Sequence, residues 1–339
     1  MTAPLTVLDT LGRPMRDLRV SVTDRCNFRC GYCMPREVFG PDHAFLPRSE
    51  VLDFEEIERV VRASVALGVR KVRLTGGEPL VRRGLETLVG LLARVEGIED
   101  LTLTTNASLL AGRAQALADA GLHRVTVSLD ALDDVTFMRM NDVGFPVRRV
   151  LDGIAAGERA GLGPIKINAV IRRGINEHAV TDLAERFRGT DTTVRFIEYM
   201  DVGHSNGWRL DDVVPAAEVV AAIGARWPLE PVDAGYRGEV AQRYRYRDGA
   251  GEIGVISSVS QPFCGDCTRA RLSADGRLYT CLFATAGHDL RVVLRAGADD
   301  DELADALRAI WTGRSDRYSE LRSLETVDLP KVEMSFIGG

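Results

Sequence analysis

Six short stretches in the first 225 residues alternate apolar and polar side chains with a period of two, the pattern of a strand with one buried face. They are residues 18–23, 71–75, 101–105, 124–130, 165–171 and 194–199. In the first, Leu18, Val20 and Val22 alternate with Arg19, Ser21 and Thr23, and in the second Val72 and Leu74 alternate with Lys71, Arg73 and Thr75. Between strands the period becomes helical. Phe54, Ile57, Val61 and Val65 share one face, with Asp53 and Glu56 spaced as a capping box and Gly68 as a stop. Leu85, Leu88, Leu92 and Val95 repeat the pattern up to Gly97. Six strand–helix units in succession predict an α/β fold with a parallel sheet.

Strands of parallel sheets are usually apolar on both faces. Here the second face is polar. A flat sheet could expose that face to water, but strand–helix units coil readily into barrels, and a curved, incomplete barrel with a polar lumen fits better. Arg19, Lys71, Arg73, Lys166 and Arg195 would then line the lumen. Solvated faces normally mix signs, so this bias favours an anion-binding lumen over scattered surface cations. From about residue 226 the pattern changes. Tyr244, Tyr246, Ile253, Val255 and Ile256 suggest short antiparallel strands, and residues 302–312 read as one helix. The chain thus divides into a barrel part, 1–225, and an α+β part, 226–339.

Composition narrows the class. Of 339 residues, 45% are hydrophobic and 27% charged, which is ordinary globular usage and excludes a disordered chain. No apolar run approaches the ~18 residues of a membrane helix, and the first residues lack the apolar core of a signal peptide. The expectation is a cytoplasmic protein with no membrane contact. A net charge of −6 argues against a nucleic-acid binder, while a small anion needs only local positive charge.

The six cysteines fall into two groups of three: Cys26, Cys30 and Cys33 as C-x3-C-x2-C, and Cys264, Cys267 and Cys281 as C-x2-C-x13-C. Such clustering points to metal rather than to core thiols. Zinc wants four ligands, and His43 or His288 would have to complete each set. A [4Fe–4S] cluster on three thiolates instead leaves one iron with an open position. Both alternatives stand on spacing alone.

The motifs allow a further step. Cys26-Asn27-Phe28-Arg29-Cys30-Gly31-Tyr32-Cys33 after the first strand, and Gly76-Gly77-Glu78-Pro79 after the second, resemble the signatures of radical S-adenosylmethionine (SAM) enzymes. More narrowly, LRVSVTDRCNFRCGYCMP, VRLTGGEPLVRR, RFIEYMDVG, FCGDCTRARLSADG and the terminal Gly338-Gly339 resemble the GTP 3′,8-cyclase family, which opens molybdenum cofactor biosynthesis. The likeness spans essentially the full length. Ala107 departs from it, standing where the family often has glycine.

The resemblance implies an incomplete parallel (βα)6 barrel of radical SAM type, with a C-terminal α+β domain carrying a second cluster. It implies two [4Fe–4S] clusters, on Cys26, Cys30 and Cys33 and on Cys264, Cys267 and Cys281. Tyr32, Gly76, Gly77, Ser128 and Met200 would contact SAM. Glu78 is ambiguous between a SAM contact and a turn cap. Arg19, Arg73, Thr104, Lys166, Arg195, Arg269 and Arg271 would hold GTP. Arg269, Arg271, Gly338 and Gly339 would serve catalysis, the tail entering the site to arrange the arginines. The family's context adds an external electron donor and cyclic pyranopterin monophosphate synthase as recipient of the product, and it allows a homodimer. Three other readings exist. A peptide-modifying radical SAM enzyme usually carries more cysteines, and an electron carrier needs no open iron or cationic lumen. A zinc-stabilised module is the third.

Overall fold

The computed structural model describes residues 6–322 and 329–338. The six alternating stretches form β1 (Asp17–Ser21), β2 (Lys71–Thr75), β3 (Asp100–Thr105), β4 (Arg124–Ser128), β5 (Lys166–Ile171) and β6 (Thr193–Glu198), paired in chain order and all parallel. Helices α1 (Phe54–Ala66), α2 (Leu85–Ala93), α3 (Ala114–Asp119), α4 (Asp134–Asn141), α5 (Val147–Arg159) and α6 (Ala179–Phe187) lie between them, and α7 (Ala216–Gly224) follows β6. Asp53 and Glu56 form the expected capping box on α1. The strands' apolar faces meet the helices: Leu18, Val20, Val72, Leu74, Leu101, Leu103, Val125 and Val127 are completely buried in one core with Ile57, Val60, Leu88 and Val150.

The later strands continue the same sheet. β7 (Leu229–Val232), β8 (Gln242–Tyr246) and β9 (Glu252–Ile256) form an antiparallel run, as the sequence suggests, but β9 turns its other edge to β6 and pairs with it in parallel. On the far side β10 (Arg269–Leu272) pairs in parallel with β1, and β11 (Arg277–Tyr279) and β12 (His288–Asp289) follow antiparallel. The order is β12-β11-β10-β1-β2-β3-β4-β5-β6-β9-β8-β7, so the ends of the sheet do not pair and the barrel stays incomplete. Helices α8 (Leu290–Arg295), α9 (Asp300–Thr312), α10 (Tyr318–Leu321) and α11 (Met334–Ile337) complete the described chain. Among the described residues no helix is long and apolar enough to cross a membrane.

Two local details near the site depart from the sequence reading. β1 ends at Ser21 rather than at residue 23, because the chain bends there. Its backbone nonetheless stays against the end of β2, with Gly77 N–H bonded to the Thr23 carbonyl at 2.8 Å and Glu78 N–H to that of Arg25 at 2.8 Å. Ala107 adopts the left-handed conformation, at φ +58°, in a fully buried turn. Its carbonyl lies 2.8 Å from where a Cβ on Gly153 of α5 would stand, so helix and turn are fitted by the glycine on the other side.

Glu198, at the end of β6, ties the barrel to its later additions. Its buried carboxylate accepts the N–H groups of Ala216, Val259 and Ser260, each at 2.8 Å. Glu198→Ala leaves three backbone donors, one of them buried at Ala216, without this acceptor and is expected to cost about 2 kcal/mol in denaturant unfolding of the metal-free protein, with Glu198→Gln costing less because one oxygen remains. Equal midpoints for wild type and Glu198→Ala would refute this role.

Candidate active site

The polar faces of the strands, from β10 across β1–β6 to β9, surround one cavity of about 580 Å³. All six cysteines reach it as free thiols. The topology places the two groups at opposite ends. Cys26–Cys33 follow the carboxyl end of β1, whereas Cys264 and Cys267 precede β10, whose first residue, Arg269, is in register with Asp17 at the amino end of β1.

The first group sits on a loop whose carbonyls are gathered by Arg29, which donates to the Cys26, Phe28 and Phe39 carbonyls at 2.7–2.8 Å. Phe28 packs edge-on to Phe137 and tilted to Phe145. Gly76 and Gly77 are required by this loop: a Cβ on either would lie 2.4 Å from a backbone oxygen, of Thr23 and of Arg25 respectively. Glu78 is fully buried and accepts from Leu80 N, Thr105 Oγ1 and Asn106 N at 2.7–2.9 Å, yet burial raises it to about 7. It thus both caps its turn and faces the cavity. Tyr32 donates its hydroxyl to Asp130 at 2.9 Å, and burial raises Asp130 to about 6. Ser128 and Met200 line the same end. Burial, then the neighbouring Glu78, pushes Cys26 up to about 12, and burial raises Cys30 and Cys33 as well.

The second group lies among arginines instead. Burial raises Cys267, but Arg269, whose Nη2 is 3.4 Å from the sulfur, and Arg314 outweigh it and bring the thiol down to about 6. Cys281 is raised to about 11 by burial.

Between the two ends, Arg19, Arg73, Lys166, Arg195, Arg269 and Arg271 line the cavity. Arg73 donates to Thr104 and Thr126 at 2.9 and 3.0 Å. Burial, then repulsion from Arg124, lowers Arg73 to about 10, and burial with repulsion from neighbouring cations lowers Arg195 and Arg271 to about 9 and Lys166 to about 7. Among the described residues the Nε atoms of Arg195 and Arg269 and Oδ1 of Asn168, all buried, have no hydrogen-bond partner. Lys71 lines the same cavity, as read from sequence, but it is paired with Asp17 and Asp100 at 3.7 and 3.5 Å and capped by Tyr236. The tail enters this region. Ile337 and Ser335 are buried, and the Gly338 carbonyl accepts a hydrogen bond from Arg271. Gly338 has φ +74°, and a Cβ there would meet Thr75 Cγ2 at 2.2 Å. Gly339 lies outside the described residues.

The donor set fits an iron–sulfur cluster: three thiols per group, each able to take a different iron. Among the described residues no three His, Cys, Asp or Glu side chains converge on one ion position, as zinc would require. The histidines proposed to complete zinc sites are elsewhere, His43 packed between the rings of Phe39 and Phe45 and His288 exposed on β12. Asn106, Asp130, Asn168 and Tyr236 line the cavity without having been singled out in the sequence. Asp130 follows Ser128 with the same period of two. Tyr236 comes from the β7–β8 connection, which carries no periodic signal.

Comparison with known proteins agrees with this architecture. A family model of the radical SAM superfamily matches residues 20–187, and one described as Molybdenum Cofactor Synthesis C matches residues 192–320. A GTP 3′,8-cyclase of Acidothermus cellulolyticus is 56% identical across 100% of both chains, and one of Xanthomonas axonopodis is 55% identical, also across 100% of both. One from Staphylococcus aureus is 48% identical over 98% of this chain and 99% of its own. The chain belongs to the GTP 3′,8-cyclase family. Among solved structures, methylornithine synthase aligns at 12% identity over 62% of each chain, with a TM-score of 0.48.

As a member of the GTP 3′,8-cyclase family and of the radical SAM superfamily, the chain takes an iron–sulfur cluster and SAM as cofactors. Gly77→Ala would press on the Arg25 carbonyl next to Cys26. The variant is expected to fold with wild-type circular dichroism but to lose iron from the first group and its SAM-dependent spectral change. Iron content and spectra equal to wild type would show that the loop tolerates the methyl group.

Proposed function

We propose that this chain is a radical SAM lyase that converts GTP to 3′,8-cyclo-7,8-dihydro-GTP, the first step of molybdenum cofactor biosynthesis. The observation that carries the reading is one cavity with a three-thiol group at each end and crowded, buried cations between them. Cys26, Cys30 and Cys33 would hold a [4Fe–4S] cluster, and Cys264, Cys267 and Cys281 a second. With SAM bound, such a first cluster would supply the one-electron reduction of SAM on which the radical chemistry at the ribose depends.

The protein's own work is orientation. Tyr32, Gly76, Gly77, Ser128, Met200 and the carboxylate of Glu78 shape the SAM end. Arg19, Arg73, Lys166, Arg195, Arg269 and Arg271 take the triphosphate, with Thr104 orienting Arg73. Buried cations that lack carboxylate partners gain most from a polyanion, and bidentate arginines hold it in one pose. The second cysteine group anchors the guanine end. Holding the substrate at both ends brings ribose C3′ and guanine C8 together, which is where positioning lowers a barrier. Gly338 keeps Arg271 aimed at the substrate. An external donor supplies electrons, and cyclic pyranopterin monophosphate synthase takes the product. The barrel part and the second-cluster part divide near residue 225.

The reading is tested by anaerobic incubation with SAM, a reductant and GTP, followed by product analysis. Replacing Cys26, Cys30 and Cys33 with Ala is expected to abolish SAM cleavage. Replacing Cys264, Cys267 and Cys281 with Ala is expected to abolish cyclisation but leave some uncoupled SAM cleavage. Wild-type cyclisation by the second variant would rule out its substrate role.

Lys166 adds a pH signature. Burial and then Arg195 and the other lumen cations lower it to about 7, so above that pH the free site holds mostly the neutral amine. A bound triphosphate favours the charged form, so binding takes up a proton and weakens as pH rises from about 7 to about 10. Calorimetry in buffers of different ionisation enthalpy is expected to show uptake approaching about one proton per GTP at about pH 8, and little below about pH 6. Lys166→Gln should remove the uptake. Buffer-independent heats in wild type at about pH 8 would contradict the assignment.

A further inference from the structure

Among the described residues the segment ahead of β1 contributes none to the cavity lining, yet its side chains end on the second cysteine group. Residues 8–14 make a tight turn bridged between Leu8 and Pro14. Asp9 lies at its centre with its side chain fully buried. Its carboxylate accepts the N–H groups of Leu11 and Arg13 at 2.9 Å, Arg13 Nε at 2.6 Å and Arg314 Nη1 at 3.3 Å.

Both guanidiniums then reach onward to the cysteines. Arg13 Nη1 donates to the carbonyls of Cys264 and Asp316 at 2.7 and 2.8 Å, and Arg314 Nη1 donates to the Cys267 carbonyl at 2.7 Å. The Arg13 and Arg314 side chains are 0–1% exposed. Trp311 Nε1 donates to the Arg13 carbonyl at 3.0 Å, and the Thr10 hydroxyl to that of Arg314 at 2.6 Å.

Packing alone does not require this arrangement. Buried ions are costly, and apolar residues of similar volume would serve stability as well or better. Cys264–Asp266 is a single 3-10 turn, closed by two long backbone bonds, from Asp266 N–H to the Phe263 carbonyl at 3.4 Å and from Cys267 N–H to the Cys264 carbonyl at 3.2 Å, too short to be rigid by itself. The two carbonyls clamped from outside belong to two of the three cysteines in the group. Partners behind metal ligands commonly orient them in this way.

We propose that Asp9 is a positioning residue for the second cysteine group, acting through Arg13 and Arg314 to hold the Cys264 and Cys267 backbone in the arrangement that binds a cluster. The proposal rests on the reading of Cys264, Cys267 and Cys281 as cluster ligands. The first group shares none of these contacts and serves as an internal control.

The test compares full-length wild type and Asp9→Asn after anaerobic reconstitution, by iron and sulfide content and electron paramagnetic resonance of the reduced protein. Wild type is expected to bind about eight irons and Asp9→Asn about four, with the SAM-induced change of the first cluster's signal retained. Arg13→Lys is the milder variant, keeping the charge beside Asp9 with a head too small to serve every acceptor. It is expected to lose the second cluster to a chelator about ten-fold faster than wild type, with the first cluster's release unchanged. A wild type holding only about four irons would overturn the two-cluster reading itself. A wild type with about eight irons, alongside variants with the same iron, spectra and chelator resistance, would overturn the clamp alone. Loss of both clusters together would also overturn it, making Asp9 a determinant of the whole fold.

Discussion

Like charges brought together away from water repel, and the lumen does this on a large scale. Arg19, Arg73, Lys166, Arg195 and Arg271 face a common cavity, none of them in an ion pair among the described residues, and each is shifted downward by burial and by neighbouring cations, Arg124 and Arg269 included. Such a cluster persists only where the surrounding structure imposes it. Here the imposition comes from the ladder: eight contiguous parallel strands, helices on the outer face, and a period of two that leaves alternate side chains no other direction. Anions appear where the cluster ends. Asp17 and Asp100 hold Lys71 at the amino ends of the strands, and Glu78 and Asp130 stand at the carboxyl ends. The net charge of −6 therefore hides a strongly positive interior. Binding a polyanion there relieves repulsion, so affinity and proton uptake have the same cause.

The two cysteine groups show how surroundings differentiate one residue type. Cys26 lies near Glu78 and is pushed up to about 12, while Cys267 lies between Arg269 and Arg314 and comes down to about 6. The difference follows from topology. The first group continues β1 into the acidic carboxyl end, and the second leads into β10, whose alternate residues Arg269 and Arg271 point into the lumen. The same strand that delivers the second group also delivers two of the substrate cations.

Much of this was legible because it is local. The alternation of Leu18 with Arg19 or Val72 with Arg73 reports both the strand and which face is buried, and the cysteine spacings report two metal-type groups. What the sequence did not show depends on distant partners. Nothing near residues 253–256 says that β9 will pair in parallel with β6. Nothing near Asp9 points to Arg314, 305 residues away. Lys71 follows the same period as Arg73, but only the assembled sheet places Asp17 and Asp100 on either side of it. The tyrosine that covers it, Tyr236, comes from an irregular connection.

The tail illustrates why a neutral group can matter more than a charged one. Arg271 is buried and crowded by Arg269, and a carboxylate from a side chain would be the obvious partner. Such a partner would cancel charge that the substrate has to meet. The Gly338 carbonyl instead supplies a dipole, which orients the guanidinium and leaves its full charge in the lumen. Reaching that point beside Thr75 leaves no room for a Cβ, and the backbone there is left-handed, so both conditions select glycine. The anchoring charges are kept outside the lumen: Lys331 pairs with Asp201 at 3.3 Å, and Glu333 lies against Gly203 and the His204 amide. Ion pairs thus hold the tail in place, and among the described residues it is a backbone carbonyl that meets the arginine it steers.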